Sequence, residues 1–244
     1  MDRKRMANEN FLTQLSQNEY PGRGIVMGLD ESGTKFVQIY WIMGRSQNSQ
    51  NRLLIREADK IKTAPVDATN ITRPELIIYN AIRRSGHNHI VSNGDHTDTI
   101  YEVLQNAGTL ELALATRSHE PDAPNYTPRI SGLLQFDQSN SVVWLAIIKK
   151  SLLDDFHSIH HFYRYDHFSN GFGMCIHTYQ HNGDPLPSFE GEPYMVPLQS
   201  STREIAETYY HALNPDYRIS LVVKTIEVLT EKLDYYIINK HDRI

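Results

Sequence analysis

The sequence predicts an α+β protein in which antiparallel sheets are covered by helices. Three observations lead to this class: apolar segments occur in pairs around short polar turns, helical periodicity is confined to the middle and the end of the chain, and strands do not alternate regularly with helices. The 244 residues are 40% hydrophobic and 22% charged, without an internal repeat or a Gly/Ser-rich linker. We therefore expect a polar arm over residues 1–20 and a single domain over residues 21–244.

The first half is expected to consist mostly of strands. The arm is read as loosely held or as a short helix. Residues 24–29 and 36–42 are apolar and β-branched, and the four residues Asp30 to Gly33 have the composition of a hairpin turn. Three further short strands are predicted at residues 53–58, 60–66 and 88–92.

Helical spacing begins near residue 97. Apolar residues recur every three or four positions over 100–107, Thr99 and Glu102 fit a capping box at their start, and Gly108 is expected to end the helix. A second short helix is predicted over residues 110–115.

The second half mixes both periodicities. The sequence predicts a hairpin of residues 129–136 and 141–149, strand-like alternation over 160–180, a loop over 183–193, a strand over 219–223, and helices over 201–212 and 224–238.

Charge and composition exclude several classes. Lys and Arg number 24 against 29 Asp and Glu, a net charge of −5, which argues against nucleic-acid binding. The longest apolar run, residues 142–148, is too short to span a membrane, and the basic start is not followed by an apolar signal core. A lone cysteine, Cys175, fits a reducing compartment, so a cytoplasmic location is expected.

Five polar segments interrupt the apolar pattern, at residues 21–24, 44–52, 79–83, 92–100 and 126–130. The second combines two arginines with a run of Asn, Gln and Ser, donors suited to a phosphate or a planar heterocycle. The alternative is a solvated hairpin loop, because Asn, Ser and Gly also form turns.

The fourth segment concentrates polar groups before a helix N-terminus, where unpaired N–H groups favour anions. Asn93, Asp95, His96 and Asp98 lie there within six residues. A metal site is disfavoured because near-adjacent residues do not all face one ion without a tight loop. Simple capping by Thr97 or Asp98 explains one of these groups and leaves the others unexplained.

Six of the twelve histidines fall between residues 157 and 181. The spacing of His157, His160 and His161 invites a zinc interpretation, but neither an HExxH pattern nor paired cysteines accompany it, so structural or surface roles are favoured. Cys175 is expected to be a small buried apolar residue, and a Cys175–His177 nucleophile pair lacks a third member.

Taken in order, the polar segments resemble the archaeal-type IMP cyclohydrolase family. Within the string 92–100 eight of nine positions fit the family pattern, with Asp95 the variable one, and the collinear resemblance runs from about residue 22 to residue 130. The matching residues are Gly22-Arg23, Arg45-Ser46, Asn51-Arg52, Tyr79-Asn80, Ile82-Arg83, the string 92–100 and Thr127-Pro128-Arg129-Ile130.

The resemblance implies a four-layer αββα sandwich like that of the Ntn-hydrolases, without their N-terminal nucleophile because the chain opens with Met1-Asp2. It also implies closure of 5-formamidoimidazole-4-carboxamide ribotide to IMP with loss of water, in de novo purine biosynthesis. No metal or organic cofactor is implied, and the expected partners are these purine ribonucleotides and further copies of the chain, with no nucleic acid and no membrane.

The resemblance also implies roles for individual residues. Glu120, in a family acidic position, is the candidate for proton transfer. The remaining catalytic candidates are Tyr79, Asn80 and His96, and the substrate-binding candidates are Arg23, Arg45, Arg52, Asn93, Asp98 and Arg129. The competing hypothesis is a purine-nucleotide-binding protein of the same fold without cyclohydrolase activity, or an amide hydrolase on a related substrate, because the loop 184–193 lies outside the resemblance.

Overall fold

A computed structural model describes residues 2–71, 74, 77–198 and 201–241. Within these residues the chain forms two antiparallel sheets with helices on their outer faces, so the predicted α+β class with antiparallel sheets is confirmed. The strands are β1 (Gly24–Leu29), β2 (Lys35–Met43), β3 (Leu53–Glu57), β4 (Lys60–Ala64), β5 (Asn80–Ser85), β6 (Asn88–Ser92), β7 (Arg129–Gln135), β8 (Val142–Lys150), β9 (Ser158–Tyr165), β10 (Phe172–His177), β11 (Tyr194–Pro197), β12 (Arg218–Glu227) and β13 (Leu233–Asn239). The helices are α1 (Arg3–Asn10), which continues as a π-helical segment (Phe11–Ser16), α2 (Gln47–Gln50), α3 (His96–Gln105), α4 (Leu110–Ala115) and α5 (Thr202–Ala212).

Sheet A has the strand order β11-β10-β1-β2-β12-β13. The predicted β1–β2 hairpin is confirmed, and the Asp30 carboxylate closes its turn by accepting the backbone N–H groups of Thr34 and Lys35 at 2.8 and 3.0 Å. At Gly24 the two strands approach so closely that a Cβ atom would lie 1.9 Å from the Trp41 ring. Glycine is therefore required where β1 crosses this side chain.

Sheet B runs from β3 to β9 in chain order, so each strand pairs with its sequence neighbours. The predicted strands β3, β4 and β6, the β7–β8 hairpin and helix α4 are confirmed. Strand β5 was not predicted, because its half-buried positions carry Asn80, Arg83 and Arg84 and its only apolar residues, Ala81 and Ile82, are adjacent and show no alternation. Residues 160–180, expected as one strand-like stretch, divide between β9 in sheet B and β10 in sheet A.

Three apolar clusters define the layers. Ile25 of β1 and Val91 of β6 meet between the sheets, whereas their neighbours Val26 and Ile90 point outward, as strand alternation requires. Helix α5 and the π-helical segment cover sheet A, and helices α3 and α4 cover sheet B. No helix among the described residues is both long and apolar enough to cross a membrane.

The N-terminal arm is helical, which confirms the short-helix alternative, and it is packed rather than loosely held. Leu15 of the π-helical segment is buried against sheet A. The Asn10 side chain donates to the Met195 carbonyl and that of Asn18 to the Gln180 carbonyl, each at 2.9 Å. The arm is thereby joined to β11 and to the loop that follows β10.

The helix predicted over residues 224–238 is wrong, because this stretch belongs to β12 and β13. The connecting turn contains neither Gly, Pro nor Asn, and its left-handed position is occupied by Glu231 with φ of 56°. Without a turn residue the two strands read as one periodic segment. The predicted helix over 201–212 is confirmed as α5, with Ser201 and Glu204 forming a capping box.

The predicted capping box of Thr99 and Glu102 is also wrong. Helix α3 begins four residues earlier, with Asp95 in the N-cap position, and Thr99 lies inside the helix. The helix ends at Gln105, and Ala107, with φ of 58°, takes the left-handed conformation expected of Gly108.

A buried lysine links the two sheets. The Lys224 ammonium lies 2.9 Å from Nδ1 of His89, and Nε2 of His89 donates to the Glu231 carboxylate at 3.0 Å. Burial and the Arg84 cation lower the pKa of Lys224 to about 7, against the attraction of Asp59 and Glu231.

Replacing Lys224 by Met is expected to change how stability depends on pH. Above pH 7 the folded protein releases a proton that the unfolded chain still holds, so the free energy of unfolding of the wild type rises with pH, by up to about 1.4 kcal/mol per unit. The K224M variant loses this rise. Urea unfolding at pH 7, 8 and 9 measures it, with the exposed Lys4→Met as control, and parallel slopes for wild type and K224M would contradict the assignment.

Candidate active site

A cavity of about 290 Å³ opens at one end of the two sheets. It brings together four of the predicted site residues, Arg23, Arg45, Arg52 and Glu120, which come from three separate loops. The remaining lining residues are Tyr20, Ser46, Asn48, Ser49, Ile77, Asp122, Asn125, Thr127, Tyr179 and Leu186.

Arg52 is the most buried cation of this cavity, with 1% of its surface exposed. Its Nε atom donates to the Ser49 carbonyl at 2.8 Å, whereas Nη1 and Nη2 have no hydrogen-bond partner among the described residues. Nε of Arg23 is also buried and unpaired there. Because unpaired buried donors are costly, these three nitrogens provide a site for an anion.

The two arginines oppose each other electrostatically. Burial lowers the pKa of Arg52, and the Arg23 cation lowers it further. For Arg23 burial also acts to lower the pKa, but the Glu120 carboxylate and the phenolic oxygen of Tyr179 raise it well above the usual value. The lining as a whole carries three arginines against the two carboxyl groups of Glu120 and Asp122, which leaves the cavity positive.

Glu120 lies in the loop between α4 and β7 with 4% of its surface exposed. Burial raises the pKa of its carboxyl group, against the opposing effect of the Arg23 and Arg129 cations. No hydrogen bond or ion pair to this carboxylate occurs among the described residues, so it is free to exchange a proton with a ligand.

The loop is held by its own polar residues. Asp122 accepts hydrogen bonds from the Thr127 backbone N–H at 2.7 Å and from its hydroxyl at 2.5 Å. Since the Thr127 hydroxyl proton is used in this way, the Tyr179 hydroxyl donates to Thr127 Oγ1 at 2.5 Å. The backbone N–H of Glu120 donates to the Thr127 carbonyl at 3.0 Å, which fixes Glu120 at the cavity wall.

Tyr79 is buried behind the lining. Its hydroxyl lies 2.7 Å from the hydroxyl of Tyr40, between the sheets. Its phenol oxygen is close enough to Arg23 and Arg52 to affect both cations. It is thus adjacent to the cavity without contributing to its surface.

Asn93, His96 and Arg129 form a layer beneath Glu120. The Asn93 amide accepts the Ile130 N–H at 2.8 Å and donates to the Pro128 carbonyl at 3.0 Å, joining two loops. Burial and the Arg129 cation lower the pKa of His96 to about 3, so its ring is neutral. Its Nε2–H donates to the Ile130 carbonyl at 3.2 Å, and Nδ1 accepts from Nη1 of Arg129 at 3.3 Å.

Asn80 and Asp98 are not among the residues that line the cavity. The Asn80 amide donates to the Asp98 carboxylate at 2.9 Å, and Arg83 pairs with the same carboxylate at 2.7 Å. The Arg83 guanidinium also stacks 3.3 Å from the centre of the Tyr101 ring. These contacts connect β5 to α3 and occupy the polar groups of both residues.

Sequence reasoning missed the aromatic wall of the cavity. Tyr20 stacks on Tyr179 with ring centres 5.8 Å apart, and the Arg45 guanidinium lies 5.4 Å from the Tyr20 ring centre. Gly22, with φ of 76°, permits this approach, since a Cβ there would lie 2.2 Å from Oγ1 of Thr178. The Gly22-Arg23 and Thr178-Tyr179 pairs were the available signals, but their contact depends on the pairing of β1 with β10.

Nothing in the described part of the chain gathers three or more His, Cys, Asp or Glu side chains into a metal-binding group. His157 binds Asp154, and His160 lies 2.9 Å from the Arg117 carbonyl. Burial raises the pKa of Cys175 to about 12, so its thiol stays protonated and is a poor nucleophile.

A family model and the individual relatives of this chain indicate the same family. The model of a family described as IMP cyclohydrolase-like protein matches residues 20–232. A protein of Methanococcus aeolicus named IMP cyclohydrolase is 31% identical over 119 residues, which are 47% of this chain and 58% of that protein.

Two further relatives carry the same name. The protein of Methanothrix thermoacetophila is 33% identical over 119 residues, covering 47% of this chain and 57% of its own length. The protein of Methanocella arvoryzae is 29% identical over 140 residues, covering 55% and 65%. The chain thus matches under two thirds of the length of these curated relatives, whereas the family model covers most of the chain. On the strength of that match, the chain belongs to the IMP cyclohydrolase-like protein family.

Proposed function

We propose that this protein catalyses the closure of 5-formamidoimidazole-4-carboxamide ribotide to IMP. The observation that carries the proposal is the pair of buried arginines, Arg23 and Arg52, whose unpaired nitrogens share one cavity with the unpaired carboxylate of Glu120. Membership of the family and the names of the relatives support the same reaction.

The arginines form the phosphate end of the proposed site. The Nη1 and Nη2 atoms of Arg52 would donate as a fork to two phosphate oxygens, and Nε of Arg23 to a third. Arg45 lies at the exposed mouth, where Nη1 donates to Asn182 Oδ1 at 2.8 Å and to the Gly183 carbonyl at 2.7 Å. It is therefore the second candidate for contacts to ribose or phosphate.

The reaction joins two groups of one molecule. The carboxamide nitrogen attacks the formyl carbon, forming the new N–C bond, and the formyl oxygen leaves as water with one hydrogen from each of the two nitrogens. Because both groups are already linked, holding them in contact supplies much of the rate enhancement. The remaining tasks are proton transfer and stabilisation of the charge that develops on the formyl oxygen.

Glu120 is the proposed proton carrier. Its carboxylate accepts the proton of the attacking carboxamide and delivers it to the formyl oxyanion, which gives a hydroxyl group on the new ring. It then accepts the formamido N–H proton and delivers it to that hydroxyl group, which leaves as water while the C–N double bond of the purine forms. A pKa raised by burial makes this carboxylate a better base than an exposed one. Arg23 serves the phosphate in this arrangement, and the Tyr79 hydroxyl, which lies behind the lining, is proposed to support the two arginines rather than to touch the formyl oxygen.

The other predicted site residues do not line the cavity and are proposed to hold the elements that carry the lining residues in place. Asn93, His96 and Arg129 hold the loop under Glu120, and Asn80 and Asp98 orient β5 against α3. No metal or organic cofactor is required by this chemistry.

The wider setting is proposed by analogy with the family. We assign residues 21–244 to one catalytic domain with the four-layer αββα architecture of the Ntn-hydrolases, in a cytoplasmic enzyme of de novo purine biosynthesis. We also propose a homo-oligomer, supported by the loop between β8 and β9, where Leu152, Leu153 and Phe156 are 90, 91 and 88% exposed.

Incubation of the purified protein with the formamido ribotide, followed by ultraviolet absorbance and chromatography of IMP, tests the proposal. We expect IMP to form at a rate proportional to enzyme concentration. Binding of IMP in calorimetry without turnover would instead favour a nucleotide-binding protein. Release of formate without IMP would favour an amide hydrolase.

A further inference from the structure

Asp95 occupies the N-cap position of α3 but does not cap the helix. Its Oδ1 atom accepts a hydrogen bond from Nη1 of Arg129 at 2.7 Å, and Oδ2 pairs with Nη2 of Arg117. An acidic residue in this position ordinarily accepts N–H groups of the first helical turn. Here the carboxylate is used to hold two guanidinium groups.

Arg129 is held from three directions. Besides its bond to Asp95, its Nε atom donates to the Ser118 carbonyl at 2.8 Å, and Nη1 reaches Nδ1 of His96 at 3.3 Å. Only Asp95 among these three partners carries a negative charge, because His96 is neutral and Ser118 contributes a backbone carbonyl. Asp95 is therefore the electrostatic determinant of where Nη1 points.

The guanidinium of Arg129 and the carboxylate of Glu120 meet around Gly94. A Cβ atom on Gly94 would lie 3.0 Å from Arg129 Nη1, 3.2 Å from His96 Nδ1 and 3.5 Å from Glu120 Oε1. Nevertheless Arg129 pairs with Asp95 and not with Glu120. The carboxylate of Glu120 remains free in the presence of a nearby cation.

We propose that Asp95, supported by Arg117, is a positioning residue that holds Arg129 away from Glu120 and so keeps the Glu120 carboxylate available as a base. The inference rests on the proposed function, in which Glu120 carries the proton. Asp95 is the one position of the string 92–100 that varies in the family pattern. Its exposed side chain pairs with Arg117 and Arg129, neither of which lines the cavity, so its effect on the site passes through Arg129.

Removing the charge of Asp95 has a defined consequence. Nη1 of Arg129 and Oε1 of Glu120 both lie near Gly94, so without the Asp95 charge an ion pair between them becomes available, and such a pair stabilises the carboxylate and lowers its pKa. The other groups that act on Glu120 are the cations of Arg23 and Arg52, which lower its pKa further, and the anion of Asp122, which raises it. His96 lies beside them and is neutral.

The test is the pH profile of the Asp95→Asn variant. The acidic limb of kcat/KM is expected to move to lower pH by about one unit, and the plateau of kcat to fall several-fold, because a less basic carboxylate is a weaker base. Glu57→Gln is the matched control, since Glu57 also pairs with two cations, Lys60 and Lys62, on the β3–β4 turn. Its profile should superimpose on that of the wild type.

A second measurement separates this inference from the proposed function. Carbon-13 NMR of labelled glutamate, with Glu120→Gln used for assignment, follows the Glu120 carboxyl titration without any turnover. We expect Asp95→Asn to lower that titration in the wild-type background and to leave it unchanged in the Arg129→Met background. An unshifted titration in D95N, or an equal shift with and without Arg129, would overturn the inference even in an active enzyme.

Discussion

Replacing Arg52 by Met is expected to weaken IMP binding by about 100-fold or more without destabilising the fold. Two nitrogens of the buried guanidinium are unpaired, and hydrogen bonds to charged groups contribute about 1.5–3 kcal/mol each. In the free protein the same cation is buried without an ion-pair partner, so an apolar side chain of similar length is neutral or stabilising there. Affinity and stability should therefore change independently or in opposite directions.

Calorimetry with IMP and with inosine distinguishes the phosphate from the base. The R52M variant should lose affinity for IMP but not for inosine, which lacks the phosphate. Arg56→Met is the control, because Arg56 is exposed on β3 and stacks on Tyr235 with 4.2 Å to the ring centre. Equal IMP affinity in R52M and wild type would show that the phosphate does not bind at this end of the cavity.

Replacing Glu120 by Gln is expected to lower kcat by about 10²–10⁴-fold with little change in KM. The amide has the shape of the carboxyl group but does not accept a proton at neutral pH. Removal of the carboxylate also leaves the Arg23 cation less balanced, so IMP should bind as well as before or more tightly. This increase is opposite in sign to the loss expected for R52M.

Steady-state rates across pH and IMP titrations measure both effects. The acidic limb of the wild-type profile should be absent in E120Q, since the group that produces it is gone. Glu190→Gln, an exposed carboxyl in the loop 183–193, should retain wild-type kinetics. Turnover of E120Q within a few-fold of the wild type would show that another group carries the proton.

Local signals predicted the elements whose ends carry strong turn or capping chemistry. Asp30 and Gly33 identified the β1–β2 hairpin, and helical periodicity identified α5, whose Ser201 capping box only the structure shows. The β12–β13 hairpin was not predicted, because Glu231 takes a left-handed conformation in a turn without Gly, Pro or Asn. Its geometry is imposed by tertiary contacts to Arg84 and His89, which no local pattern encodes.

The sequence predicted which residues belong to the candidate site, but not which of them line the cavity and which lie behind it. Motif membership selected Arg52 and Glu120, which line the cavity, together with Asn80, which does not. Strand alternation alone indicates that Tyr79 and Asn80 point to opposite faces, so only one of them is able to face the space between the sheets. The contact of Tyr20 with Tyr179 requires the β1–β10 pairing, which joins residues far apart in sequence.

The most direct test of the account is a crystal structure of the protein with IMP. We expect the 5′-phosphate within hydrogen-bond distance of Nη1 and Nη2 of Arg52 and Nε of Arg23, and the purine ring edge facing the Glu120 carboxylate. A nucleotide bound instead beside His87 and Phe136, at a cavity between the β7–β8 and β12–β13 turns, would contradict it. So would a phosphate directed into solvent, away from both arginines.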